Sequence, residues 1–208
     1  MNADLLQLLL ILEPFSKNTY LVGGCVRDEL MGLSPKDYDI VTDIPLEVSK
    51  PVLIDNGWKV KECGEAFLVL NVSKGGEQFE IACFRKDGVY LDGRRPEAVE
   101  IGTIEEDARR RDFTVNALYM NPFTGEVLDP THLGLQDLEN RLLRFIGRPS
   151  DRIEEDNLRV FRYYRFLQKG FKAERHSLKA CRRYFNDVYL NTTPERVRLE
   201  LEKMVGLL

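Results

Sequence analysis

No apolar run among the 208 residues approaches the length of a membrane-spanning helix. The stretch from Met1 to Pro14 carries acidic residues and lacks a cleavage pattern, so it reads as a short amphipathic helix, not a secretory signal. Cysteine is sparse. The four, Cys25, Cys63, Cys83 and Cys181, form no C-x-x-C pair, and only His132 and His176 could join them. That spacing argues against a zinc site and fits buried thiols in a reducing cytoplasm. Internal repeats and low-complexity tracts are missing. So is a strong net charge: 30 Lys and Arg against 34 Asp and Glu leave −4, which is no global nucleic-acid signature. What is present is 43% hydrophobic and 31% charged residues, in a length that buries one good core, or one compact domain with a helical extension. The charge is segregated, with basic residues outnumbering acidic ones from Arg141 to Arg183 and most acids in the N-terminal half.

The chain is organised around Thr19 to Thr42. The apolar run Tyr20-Leu21-Val22 meets Gly23-Gly24, and the amphipathic segment Cys25 to Met31 follows at once, a strand, tight turn and helix. Such a helix starts with unpaired N–H groups, glycines without Cβ let a phosphate approach them, and Arg27 adds charge in the first turn. Gly23, Gly24 and Arg27 are therefore candidate phosphate-binding residues, although Gly-Gly also serves as a plain turn. Asp37-Tyr38-Asp39-Ile40, after Gly32 and Pro35, reads as the start of a second strand. Residues i and i+2 share a face, so Asp37 and Asp39 are expected side by side, with Tyr38 and Ile40 toward the core. Adjacent carboxylates repel unless a cation bridges them, and hard oxygen ligands beside a triphosphate suit Mg²⁺. An Asp-rich solvated turn is the competing reading, and the phosphate cradle upstream favours the metal.

Pro45 to Asn56 reads as a helix with Asp43 as its N-cap, closed by Gly57. Trp58 to Glu62, Phe67 to Val72 and Gln78 to Phe84 are strand candidates, the last two joined by a hairpin turn at Lys74-Gly75-Gly76-Glu77. Hairpin strands after one βα unit predict an α+β fold with a mixed, mostly antiparallel sheet. Lys86 to Pro96, rich in glycine and charge, reads as a surface loop of the kind that closes over a site. Asn121 to Pro130 is a hairpin-like turn, Gly134 to Arg141 a short helix, and one helix is predicted from Asp151 to Gly170.

The segments Val22-Gly-Gly-Cys-Val-Arg-Asp-Glu-Leu-Met-Gly and Asp37-Tyr-Asp-Ile-Val-Thr resemble the head-domain signature of the bacterial-type (class II) tRNA nucleotidyltransferase and poly(A) polymerase family, within the polymerase β-like nucleotidyltransferases. Arg110-Arg111-Asp112-Phe-Thr-Val-Asn116-Ala matches the family motif R-R-D-F-T-x-N-A. Arg111 can neutralise a triphosphate, and Asp112 can accept a ribose hydroxyl, which is the work the resemblance implies for them. Surface ion pairs would be the plainer role of Arg109, Arg110 and Asp112. The resemblance also implies a third acidic residue on a strand beside the D-x-D pair. Glu80, in Phe79-Glu80-Ile81, is the match, with an ordinary outward glutamate as the alternative.

Glu155-Asp156-x-x-Arg159 matches the family's E-D-x-x-R motif, whose Asp and Arg are understood to template the incoming base. A carboxylate accepts from the exocyclic amine of cytosine or adenine, and a guanidinium donates to their ring acceptors. Asp156, Arg159, Arg162 and Arg165 fall at i+3 steps and predict one polar helix stripe, which a salt-bridged exposed face would also produce. Arg162 and Arg165 match further family arginines that contact nucleotide.

The resemblance thus implies a nucleotidyltransferase head over residues 1–140 and a helical neck over 141–208, with the relatives' body and tail domains absent. It implies an enzyme that extends RNA 3′ ends, such as tRNA, with C or A from CTP and ATP, using Mg²⁺ held by Asp37 and Asp39, in the cytoplasm. The alternatives are a poly(A) polymerase, a catalytically silent nucleotide- or RNA-binding module and, less favoured, a small-molecule nucleotidyltransferase.

Overall fold

A computed structural model of the chain describes residues 2–62, 68–87 and 99–206. Helix α1, Ala3–Leu12, places Leu5, Leu8, Leu9 and Leu12 on one face at the i, i+3, i+4, i+7 spacing, and all four are fully buried. Each such leucine contributes roughly 1.5–3 kcal/mol of burial. Strand β1, Thr19–Val22, runs into helix α2, Gly24–Leu30, across Gly23. Then come β2, Asp39–Thr42, α3, Leu46–Asp55, β3, Lys59–Glu62, β4, Val69–Lys74, and β5, Glu77–Cys83. Gly75 and Gly76, both at positive φ, form the two-residue turn between β4 and β5, a conformation that suits the twist of a hairpin.

Arg85–Asp87 forms β6, which pairs antiparallel with β7, Val99–Ile101. The predicted loop from Lys86 to Pro96 therefore begins in a strand, and its remainder, like Cys63, lies outside the described residues. Helix α4, Ile104–Arg110, opens on a capping box in which Thr103 and Glu106 each accept the other's backbone N–H. A 3₁₀ turn, Thr114–Asn116, leads to the hairpin of β8, Tyr119–Met120, and β9, Val127–Leu128. Helix α5, Gly134–Glu139, and β10, Leu142–Leu143, follow.

The seven-stranded sheet has the order β3-β4-β5-β2-β1-β8-β9. All its pairs are antiparallel except β2 with β5. This is the mixed, mostly antiparallel α+β arrangement expected from the hairpin-rich sequence. Leu21, Ile40, Leu70, Val72, Phe79 and Ile81 turn to one face, where they pack with the leucines of α1 and with Leu53 of α3. Val22 and Val41 turn to the other face with Phe84, Ala108 and Tyr119.

The remaining elements are α6, Pro149–Glu155, α7, Arg159–Gln168, β11, Lys172–Ala173, α8, Arg175–Arg183, α9, Asp187–Asn191, and α10, Pro194–Val205. One core runs from α1 through the sheet into these helices, with Phe113, Phe145, Tyr163 and Phe166 clustered where they meet, Phe145 stacked on Tyr163 and Phe166 edge-on to Phe113.

Three local expectations are corrected. Pro45, not Asp43, occupies the N-cap position of α3, and Asp43 Oδ2 instead accepts from Asn18 Nδ2 at 2.8 Å. Strand β2 begins at Asp39, so Asp37 lies in the bend before it and not on the strand face. The single helix predicted from Asp151 to Gly170 is two. Asp156 is extended at φ −152°, ψ 102°, and its Oδ1 accepts from the Leu158 N–H at 3.1 Å. This local side-chain bond competes with helical pairing and breaks the chain's course between α6 and α7.

Candidate active site

The site forms where β1, β2 and β5 lie side by side. Gly23 joins β1 to α2 at φ 78°, ψ −123°, a conformation open to glycine. A Cβ there would stand 3.4 Å from Arg111 Nη1, 3.7 Å from the Asn116 carbonyl oxygen and 4.0 Å from Asp39 Oδ2. The Gly23-Gly24 turn, Arg111 and Asp39 thus face one small volume. No side chain caps α2, so its first-turn N–H groups open toward that turn.

In the parallel register of β2 and β5, Asp39 is paired with Glu80. Ile40 and Ile81 go to the helix-covered core, so Asp39 and Glu80 share the opposite face. Crowding by surrounding atoms raises the Asp39 carboxyl above the ordinary aspartate value, with Arg111 opposing and Asp37 reinforcing the shift. Glu80 is raised by the same crowding and then by Asp39. The carboxylate pair set by the sheet is therefore Asp39 with Glu80. Asp37, exposed in the bend, adds its charge from one side.

Arg111 is aimed by a residue that sequence reasoning passed over. Asp107 is fully buried, and its Oδ2 accepts from Arg111 Nε at 3.0 Å and Nη2 at 2.9 Å. Asp107 also accepts from Arg110, from the Tyr119 hydroxyl at 2.7 Å and from the Arg85 backbone N–H. Burial alone would raise the Asp107 carboxyl, but Arg111 and Arg110 hold it well below the ordinary value. Arg111 Nη1 is left facing the glycine turn. The signal was present in the i−3 and i−4 spacing of Asp107 to the two arginines on one helix.

Asp112 is buried, with both oxygens engaged by the protein. Oδ1 accepts from Phe113 N at 2.8 Å and Asn116 Nδ2 at 2.9 Å, and Oδ2 from Arg162 Nε at 2.9 Å and Nη2 at 2.6 Å. Arg27, 6% exposed, turns inward. Its Nη1 donates to Asn116 Oδ1 at 2.5 Å, its Nε to Asp28 at 2.8 Å, and its guanidinium lies 4.9 Å from the Phe166 ring centre. A chain of hydrogen bonds, Arg27–Asn116–Asp112–Arg162, therefore links α2 to α7.

The expected stripe of Asp156, Arg159, Arg162 and Arg165 is divided among partners. Asp156 Oδ2 accepts from Arg196 of α10 at 2.9 Å. Arg159 donates to Glu155 and to the main-chain oxygens of Arg152 and Arg110. Arg162 goes to Asp112 and Arg165 to Glu200 of α10. Asp156 and Arg159 lie at the same break, each fixed by its own partners. Of the predicted residues, the structure gathers Gly23, Asp39 and Arg111 at one point, with Gly24 next in the chain and Glu80 in register beside Asp39. Asp112 and Arg162 connect that point to α7, which carries Arg159.

An α+β sheet with a glycine turn before a short helix, a carboxylate pair on adjacent strands and an arginine across from them defines a polymerase β-like nucleotidyltransferase head, here continued by a helical segment. The chain belongs to the poly(A) polymerase head domain family, whose model matches residues 19–144. It is 36% identical over 210 residues to a CCA-adding enzyme of Streptococcus pneumoniae serotype 19F, covering 99% of this chain and 51% of that one. It is 40% identical over 191 residues to a CCA-adding enzyme of Streptococcus agalactiae serotype V, covering 89% and 45%. The Bacillus stearothermophilus CCA-adding enzyme in complex with CTP superposes with a TM-score of 0.85 at 28% identity, over 99% of this chain and 49% of that one. The Thermotoga maritima CCA-adding enzyme complexed with tRNA gives 0.80 at 27%, over 99% and 48%. The chain spans about half the length of the relatives it matches.

Proposed function

We propose that this chain is the catalytic part of an RNA 3′-terminal nucleotidyltransferase, which transfers CMP or AMP from CTP and ATP to the 3′ end of tRNA. The observation that carries this reading is the convergence of Asp39, Arg111 and the Gly23 turn within 4 Å of one point, with Glu80 in register beside Asp39. The likeness to CCA-adding enzymes over nearly the whole chain supports the choice of nucleotides and of tRNA. Residues 1–140 are the head in this reading, and 141–208 the neck.

The N–H groups at the glycine turn and Arg111 bind the triphosphate, and Asp107 keeps Arg111 pointed at it. Arg27 works from behind, holding Asn116 and the turn against α7. Asp112 acts on the ribose side through the placement of Asn116 and Arg162. Asp156, which keeps acceptor capacity beyond its two bonds, and Arg159 select the base, since uracil or guanine would set a carbonyl against the carboxylate. Arg162 and Arg165 hold α7 in place for that contact.

Asp37, Asp39 and Glu80, which line one groove, offer only hard oxygen donors, and the Asp39 and Glu80 carboxyls are pushed up by crowding and by neighbouring charge, a strain that a divalent cation relieves. Among the described residues no three His, Cys, Asp or Glu side chains converge into a protein cage. Mg²⁺ keeps waters and takes phosphate oxygens as ligands, so it needs only one or two carboxylates from the protein. Asp37 and Asp39 would hold it, where it would stabilise charge on the attacking and leaving oxygens. Among the described residues no helix is long and apolar enough to cross a membrane, and the cytoplasm is the compartment proposed for the reaction.

The test supplies tRNA ending at the discriminator base, or in CC, with Mg²⁺ and CTP, ATP or both. Addition of CCA, CC or A is the expected product. The second reading, a poly(A) polymerase, draws on the name of the matched family model and predicts long A tails. Nucleotide binding without any addition would mark a silent binding module.

A further inference from the structure

The face that carries Asp39 and Glu80 continues beyond them to the edge of the sheet. Register aligns Asp39 of β2 with Glu80 of β5, Glu80 with Asn71 of β4, and Asn71 with Lys61 of β3. The neighbouring row aligns Gln78 with Ser73 and Ser73 with Lys59. Val60, Val72, Phe79 and Ile81 alternate with these residues and pack into the helix-covered core. Lys59, Lys61, Asn71, Ser73 and Gln78 therefore share the face of the carboxylate pair. Together with Asp37, Asp39 and Glu80 they line a groove of about 540 Å³. Lys59 and Lys61 are exposed, and among the described residues neither is paired with a carboxylate.

We propose that this strip is the track for the 3′-terminal phosphodiesters of the RNA that accepts the nucleotide, an inference that rests on the nucleotidyltransferase reading. In-line displacement sets the attacking hydroxyl opposite the leaving pyrophosphate. The glycine turn and Arg111 hold the triphosphate on the β1 side of Asp39, so the hydroxyl approaches from the β5 side, over Glu80. The strand behind that hydroxyl then crosses β4 and β3. Three strand spacings put the Lys61 position about 14 Å from that of Asp39. A polyanion passing carboxylates at the reaction point needs cations beyond them, and Lys59 and Lys61 supply these. Amide and hydroxyl groups between them suit phosphate and 2′-hydroxyl oxygens. Edge-strand lysines also deter pairing between sheets, and that role alone predicts no effect on RNA affinity.

The experiment measures binding of a tRNA minihelix ending at the discriminator base, with Mg²⁺ and a non-hydrolysable CTP analogue, over a series of KCl concentrations. Wild type is compared with the double variant Lys59→Gln, Lys61→Gln, and transfer is assayed in parallel. The track predicts about a tenfold loss of RNA affinity and a salt slope shallower by about 1.4, roughly 0.7 for each single-strand phosphate that a lysine no longer neutralises. Affinity for the CTP analogue and the thermal midpoint stay unchanged. Lys59→Arg, Lys61→Arg restores affinity and slope. Equal slopes and affinities for wild type and the Gln variant overturn the proposal, as does a wild-type protein that binds no RNA. A changed slope in a protein that binds RNA but transfers no nucleotide leaves the track standing and refutes the nucleotidyltransferase reading instead.

Discussion

Asp39 stands between the glycine turn and Glu80, so its replacement removes a proposed metal ligand without disturbing packed atoms. Asp39→Asn is expected to lower transfer on the order of a thousandfold while the thermal midpoint holds, as measured by primer extension beside a melting curve. Gly23→Ala acts differently. Its φ of 78° strains any other residue, and the new Cβ crowds Arg111 Nη1. A loss of roughly 1–3 kcal/mol of stability is expected in urea unfolding, with a raised KM for CTP. Asp112 carries a pH signature. Burial would raise its carboxyl, but Arg162 and Asn116 bring it down to about 2. The folded state thus binds this proton less readily than the unfolded chain, whose aspartates titrate at about 3.9. The stability it gives is fully present above that value and is lost as pH falls toward the folded one. The gap in unfolding free energy between wild type and Asp112→Asn should therefore narrow below about pH 4; a gap constant through the acid range would contradict this role.

The elements show where a sequence speaks plainly and where it does not. The strand, Gly-Gly turn and helix at residues 19–31 were legible because each residue's local preference agrees with its neighbours'. The Gly75-Gly76 hairpin was legible for the same reason. The break between α6 and α7 was not, because Glu154 to Phe166 keeps a helical period across it, and a single Asx bond from Asp156 decides the matter. Asp107 was overlooked because an acidic residue among arginines looks like a surface pair until its complete burial is seen. The partnership of Asp39 with Glu80, by contrast, depends on which strands pair, a non-local fact that only the family resemblance anticipated. Helix α7 is held through Arg159 to the end of α4, through Arg162 to Asp112 and through Arg165 to α10. The loop that carries Asp156 is tied to α10 by Arg196. Asp156→Ala removes that tie and the Asx bond together. It is expected to cost about 1 kcal/mol and to reduce the preference for CTP over UTP about tenfold, read from single-nucleotide incorporation with each triphosphate.

At the scale of the whole molecule, the sheet and the helices after it share one apolar core, so the glycine turn and α7 are parts of one packed unit. The route Arg27–Asn116–Asp112–Arg162 crosses that unit in side-chain hydrogen bonds and connects the residues proposed to face the triphosphate with the helix beside the pair proposed to select the base. Transfer of nucleotides to RNA by this unit, through Asp39, is the central claim. The most direct measurement incubates the protein and its Asp39→Asn variant with tRNA lacking its 3′ CCA, Mg²⁺, CTP and ATP, and resolves the products by single nucleotides. Short additions of C and A by the wild type and none by the variant are the predicted result. Equal extension by both proteins would contradict the claim.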